Sequence, residues 1–329
     1  MMPAPPWLAP ETEALVAAQR SGRLSHALLL HEAPGAGGDW LAGWAARLVL
    51  CHNPERAPCG GCPGCARAAA LQHPDLMLVR PLEDSRQIRI EQVRELSAEL
   101  ALTSHGGGYK VGLITPADAL NRFAANALLK TLEEPPPHTL LVLVATQPSR
   151  LPPTVVSRCQ RLRLRAPTRE EGVAWLTAAR GAADWGAALD TIGEAPMLVV
   201  DGDPAALAQV GADTRSTLEA LAAGSADPVA AAERWARADL PLRLLCFENW
   251  LTERIRRSAL EGSFLAEMRA APYLPGPGAF LNIRGLFGLV NEVQDLRAAL
   301  DVPLNRGVAL EALFRRLAPA QRARSGGQG

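Results

Sequence analysis

Five short apolar runs mark the first half of the chain: His26–His31, Asp75–Val79, Lys110–Ile114, Thr139–Val144 and Gln160–Arg165. Helical patterns lie between them, and that alternation, from His26 to about Pro167, predicts an α/β domain on a largely parallel sheet. The fifth run alternates Leu162 and Leu164 with arginines, so one face is buried and one wet, which places it near an edge. Between the second and third runs, Ile90, Val93, Leu96 and Leu100 recur at helical spacing with Glu91, Arg94 and Glu99 interleaved, predicting an amphipathic surface helix that ends before the turn His105–Gly108. A second helix, from about Arg122 to Glu134, must stop at Pro135–Pro137, where the missing amide protons forbid continuation.

After Pro167 the strand signal disappears. Ala, Leu, Glu and Arg dominate from Arg169 to about Leu317, with interruptions near Gly193–Pro204 and Pro272–Gly278, so this half is helical. The expected division is 1–167 for the α/β domain, 168–206 for a small helical lid, 207–320 for a larger helical collar, and 321–329 as a disordered tail. Trp235, Phe247 and Trp250 fall at spacings of helix packing and are assigned to the bundle, with Cys246 in its core.

Length and charge narrow the function. A chain of 329 residues with 48% hydrophobic and 21% charged residues has material for two or three packed domains. Lys plus Arg equals Asp plus Glu at 34 each, so no global basic field draws the chain onto nucleic acid, and any DNA contact must be local or shared. Met1–Pro10 has no charged or unbroken apolar leader, and no later stretch stays apolar for a bilayer span; the expectation is a cytoplasmic protein with no membrane partner.

Leu30–Asp39 follows a strand and opens a helix, the setting of a phosphate-binding loop. Laid on G-x-x-x-x-G-K-[ST], Glu32 takes the first glycine, Gly37 the second, Gly38 the lysine and Asp39 the magnesium-binding hydroxyl, with Gly35 inside the loop. Without the lysine no fixed cation reaches the β- and γ-phosphates, and Glu32 and Asp39 place negative charge beside a polyanion. At the end of the third strand, where an active ATPase carries an acidic pair for magnesium and water, stand Thr115 and Pro116; Asp118 lies beyond the register. Loss of both halves predicts that ATP is not productively bound.

Cys51, Cys59, Cys62 and Cys65 have the spacing C-x7-C-x2-C-x2-C, with Gly60, Gly61, Pro63 and Gly64 between them. Such tight turns let thiolates converge on one ion, predicting a structural Zn2+ with four sulfur ligands and no position open for catalysis. His52 and His73 are alternative ligands, read as ordinary surface residues beside a complete cysteine set.

The zinc module after the first helix, His73-Pro-Asp75, Asn126–Pro136 (Asn-Ala-Leu-Leu-Lys-Thr-Leu-Glu-Glu-Pro-Pro) and Ser157-Arg-Cys159 together resemble the clamp-loader ATPase family of bacterial DNA polymerase III. The collar-like run Val302–Glu311 is similar to that family's C-terminal domain. A degraded phosphate loop with Ser-Arg-Cys kept resembles its delta-prime branch, whereas intact sites belong to the gamma or tau motor subunits. The resemblance implies an AAA+-type domain with an inserted zinc module, then a helical lid and an all-α collar. It implies a subunit without ATPase activity that works with gamma/tau and delta to load the sliding clamp on primer-template DNA, in a nucleoid-associated replisome. It makes Arg158, flanked by Ser157 and Cys159, an arginine finger acting in trans on a neighbour's ATP. Polymerisation chemistry belongs to the holoenzyme. Thr146 resembles the family's polar sensor, while Gly193–Met197 lacks the motor subunits' sensor arginine. Lys130 and Glu134 are read as a surface pair one helical turn apart. The competing readings are an active gamma/tau-like motor, opposed by the missing lysine and acidic pair, and a zinc DNA-binding protein, opposed by the neutral charge.

Overall fold

The computed structural model describes residues 2–83, 85–260, 283–300 and 304–317. The Pro272–Gly278 interruption, Val302 and Pro303 of the collar-like run, and the 321–329 tail lie outside them. The described residues form two compact units, one of 1–181 with 194–200 and one of 182–193 with the residues from 201 onward.

In the first unit, β1 (Ala27–His31), β2 (Leu76–Val79), β3 (Lys110–Ile114), β4 (Thr139–Ala145) and β5 (Gln160–Arg163) form an all-parallel sheet in the order β2-β3-β4-β1-β5. All five strands coincide with the apolar runs. β3 and β4 are buried along their whole length and β1 along nearly all of it, as parallel strands between two helical layers must be. β5 is one of the two edge strands, with Arg161 and Arg163 in solvent, as its alternation predicted.

Helices α1 (Ala9–Arg20) and α2 (Gly38–Val49) precede and follow β1, and α3 (Pro63–Ala69) closes the cysteine segment. α4 (Ile90–Ala101) buries Val93, Leu96 and Leu100. α5 (Arg122–Glu133) is capped by the Asn121 side chain on the Ala124 amide and buries Leu128 and Leu132. These two helices and the short α6 (Pro153–Val156) share a core with Leu29, Ile114, Leu141 and Leu143 on one sheet face. α7 (Arg169–Arg180) opens with Thr168 and Glu171 capping each other's amides, and α9 (Pro196–Val199) returns to this unit. No helix among the described residues is long and apolar enough to cross a membrane.

The second unit is helical: α8 (Trp185–Ile192), α10 (Pro204–Ala222), α11 (Pro228–Arg237), α12 (Leu240–Leu260), α13 (Ile283–Ala298) and α14 (Arg306–Leu317). Trp235 and Phe247 are fully buried and meet Phe314, Trp235 edge-on at 4.8 Å between centroids, so the aromatics serve packing. Cys246 is buried, as expected. The residues 168–206 do not travel together: α7 and α9 pack with the sheet unit and α8 with the bundle.

Candidate functional site

The loop after β1 and the ends of β3 and β4 meet at the carboxyl edge of the sheet, where open parallel sheets hold ligands. Gly35 and Gly37 have φ of +74° and +108°, conformations that side chains with a β-carbon resist. The loop therefore keeps the bend of a phosphate cradle, with the amides of Gly37 and Gly38 facing its centre at the start of α2. That centre is filled from within. The Glu32 carboxylate accepts the Gly38 amide at 2.6 Å and lies in reach of the Gly37 amide. Burial pushes the Glu32 carboxyl up to about 7 despite those amides, with Asp39 and Asp118 adding repulsion.

A β-carbon at Gly38 would stand 2.6 Å from the Glu32 carboxyl carbon and 2.7 Å from Val144 Cγ1, so no lysine fits there as the chain is folded. The roof is also closed. Trp7 Nε1 donates to the Ala36 carbonyl at 2.6 Å, and Leu8 and Met197 border Gly37 while Ala195 and Leu198 border Gly35.

Thr115 and Asp39 bond to each other. Thr115 Oγ1 donates to Asp39 Oδ1 at 2.6 Å, and Arg80 approaches the other oxygen at 3.5 Å. The hydroxyl that an active loop places on the helix thus stands at the end of β3, and the carboxylate stands on the helix. Asp118 accepts from Thr146 Oγ1 and the Gln147 amide, both at 3.1 Å, so the sensor-like threonine ties the end of β4 to the turn after β3. Pro116 is exposed beside it.

The four cysteine sulfurs lie within 4.8 Å of one another. Cys51 follows α2, Cys59 and Cys62 lie in the connecting loop, and Cys62 caps α3 by accepting the Cys65 amide at 3.4 Å. The Cys51 and Cys62 sulfurs stand 3.9 Å apart, close to the roughly 3.8 Å edge of a tetrahedron with Zn–S bonds of about 2.3 Å. Amides of Asn53 and Cys59 point at Cys51 Sγ, and that of His52 at Cys62 Sγ, donors suited to thiolates. A β-carbon at Gly64 would collide with the Leu50 carbonyl, so the glycine lets α3 close on the end of α2. The cluster can hold a metal ion. Neither histidine joins it; His73 is buried, not a surface residue, and its Nδ1 accepts the Asp75 amide at 3.1 Å. Asp75 in turn takes the His105 amide at 2.9 Å and pairs with buried Lys110, so His73-Pro-Asp75 braces the amino end of the sheet, remote from the loop.

Arg158 lies just after α6. Its Nη1 donates to the Thr154 carbonyl at 3.0 Å and its Nη2 meets Glu133 Oε1 at 2.6 Å, with the side chain partly exposed. Ser157 Oγ turns back to the same carbonyl at 3.2 Å. Cys159 is buried, and burial pushes its thiol up to about 11, so it packs as a neutral anchor.

A family model described as DNA polymerase III, delta subunit, matches residues 9–168. The DNA polymerase III subunit delta' of Pseudomonas aeruginosa is 39% identical over 259 residues, 74% of this chain and 77% of that one. The chain belongs to the DNA polymerase III delta-prime family. The delta-prime subunit of Escherichia coli is 41% identical over 173 residues, so the chain spans about half, 52%, of that relative's length. The tau subunit of Salmonella typhimurium is 35% identical over 146 residues, 44% of this chain and 22% of its own.

Two parts of this delta-prime-family site escaped sequence reasoning. Glu133, not Glu134, is the ion-pairing glutamate: α5 ends at Glu133, Glu134 leaves the helix at φ −125°, and no ion pair joins it to Lys130. The partner, Arg158, comes from another element, which no helical spacing encodes. The second is the cover on the loop, Trp7 and Ala195–Leu198. The apolar Ala195–Leu198 run after Gly193, where no arginine stands, was its signal in the sequence.

Proposed function

We propose that this chain is the non-hydrolysing delta-prime subunit of a DNA polymerase III clamp loader. It would assemble with gamma/tau and delta, help place the sliding clamp on primer-template DNA, and act in the cytoplasm at the replisome. The observation that carries the reading is the Glu32 carboxylate seated on the loop amides, in a chain of this family. An internal carboxyl group holds the donors that would take a phosphate, and a lysine at position 38 would have to displace Glu32 and Val144. In this reading the α/β domain, with α7 and α9 grouped with it, is a scaffold, the helical unit of α8 and the residues from 201 onward serves as the collar, and the four-cysteine cluster holds structural Zn2+. The ion would fix the α2–α3 connection and supply no chemistry of reaction.

The chain's own contribution to hydrolysis would be Arg158. Its guanidinium, on an exposed loop after a packed helix, would reach a neighbouring subunit's nucleotide and offset charge developing on the γ-phosphate. Titration of the isolated chain with ATP and magnesium tests the first half, with no binding heat expected; tight binding would overturn it. DNA- and clamp-stimulated ATPase of a reconstituted loader tests the second. Arg158→Ala should strongly reduce hydrolysis with assembly unchanged, and an unchanged rate would reject the finger.

A further inference from the structure

We infer that Glu133 is a positioning residue for Arg158, holding its guanidinium in the orientation in which it meets a neighbour's nucleotide; the inference rests on the finger reading above. The contact joins two elements that share one core. Leu128 and Leu132 of α5, Val155 of α6 and Leu151 just before α6 are buried in one core, and buried Cys159 anchors the chain just beyond Arg158. From that base the guanidinium is held at two points, Nη1 on the Thr154 carbonyl at 3.0 Å and Nη2 on Glu133 Oε1 at 2.6 Å. A guanidinium has five N–H donors, so two contacts leave others for an incoming anion. An arginine otherwise carries large rotamer freedom, and fixing it beforehand removes an entropic cost from the reacting state.

The placement of the carboxylate is itself informative. Glu133 stands in the last turn of α5, where the helix dipole and free carbonyls disfavour negative charge. The dipole opposes an acid there, whereas the Arg158 cation favours one. Being exposed, the pair adds little to stability, which leaves geometry as its function.

The test is ATP hydrolysis by the reconstituted loader with full-length Glu133→Ala, Glu133→Gln, Arg158→Ala and the double variant, each checked for assembly. Glu133→Ala should lower kcat roughly three- to ten-fold with KM for ATP unchanged. Glu133→Gln, whose amide oxygen still accepts from Nη2, should recover most of that loss and also guards against a folding defect. On the Arg158→Ala background, Glu133→Ala should have no further effect. Wild-type kcat in Glu133→Ala, or an equal loss on both backgrounds, overturns the inference while leaving the finger intact. An Arg158→Ala enzyme that hydrolyses normally overturns the finger and the positioning role together.

Discussion

At the scale of single residues, the Glu32 carboxyl is the unusual group. Burial raises it from 4.5 to about 7, so its ionisation costs the folded state on the order of 3 kcal/mol above neutrality. The folded chain holds this proton more tightly than the unfolded one, so the contribution is fully present below about pH 4.5 and is lost as pH rises through about 7. Chemical denaturation should find Glu32→Gln equal to the wild type near pH 4.5 and more stable near pH 8; a difference that ignores pH would mean that Glu32 is not strained by its setting. Gly38→Lys should destabilise by about 1–3 kcal/mol, from overpacking against Glu32 and Val144, and part of that loss should vanish when Glu32 is also replaced by glycine. The absence of a lysine at position 38 and of a carboxylate at 115 was readable from residue types at fixed offsets. That Glu32 turns inward to occupy the amides was not, because orientation depends on the loop's path and on Trp7 above it.

At the scale of elements, the cysteine segment has little apolar material of its own. α3 is seven residues long, and Cys65, Gly64 and Ala68 are its buried positions, so a bound metal would supply what packing does not. One zinc per chain is expected by elemental analysis, and Cys62→Ser or a strong chelator should release it and make the connection between α2 and α3 susceptible to protease. A metal-free preparation with unchanged protection would argue against a structural ion. Strands and helices of the first unit were legible because their signals are local: continuous apolar runs, a 3.6 period, and prolines that end α5. The Glu133–Arg158 link joins residues 25 positions apart on different elements, and tertiary packing alone makes it.

At the scale of the whole molecule, the helical second unit rests on an aromatic centre of Trp235, Phe247 and Phe314 with leucines around it. Trp235→Ala should cost roughly 3–5 kcal/mol, seen as a lower denaturation midpoint by far-UV circular dichroism. Composition announced a helical half, but a chain passing from one unit to the other and back around residues 182–200 leaves no mark in composition, which is why the grouping of α7 with α9 and of α8 with the bundle was not legible.

The exchange of hydroxyl and carboxylate between Thr115 and Asp39 carries an evolutionary consequence. A lysine regained at position 38 meets Glu32; an aspartate regained at 115 faces the carboxylate of Asp39; a threonine regained at 39 abandons Arg80. Each single reversion is thus costly or idle, and only concerted change would reopen the loop. If the chain is silent as proposed, such a site would behave as a ratchet, which its descendants would inherit more easily than they could escape.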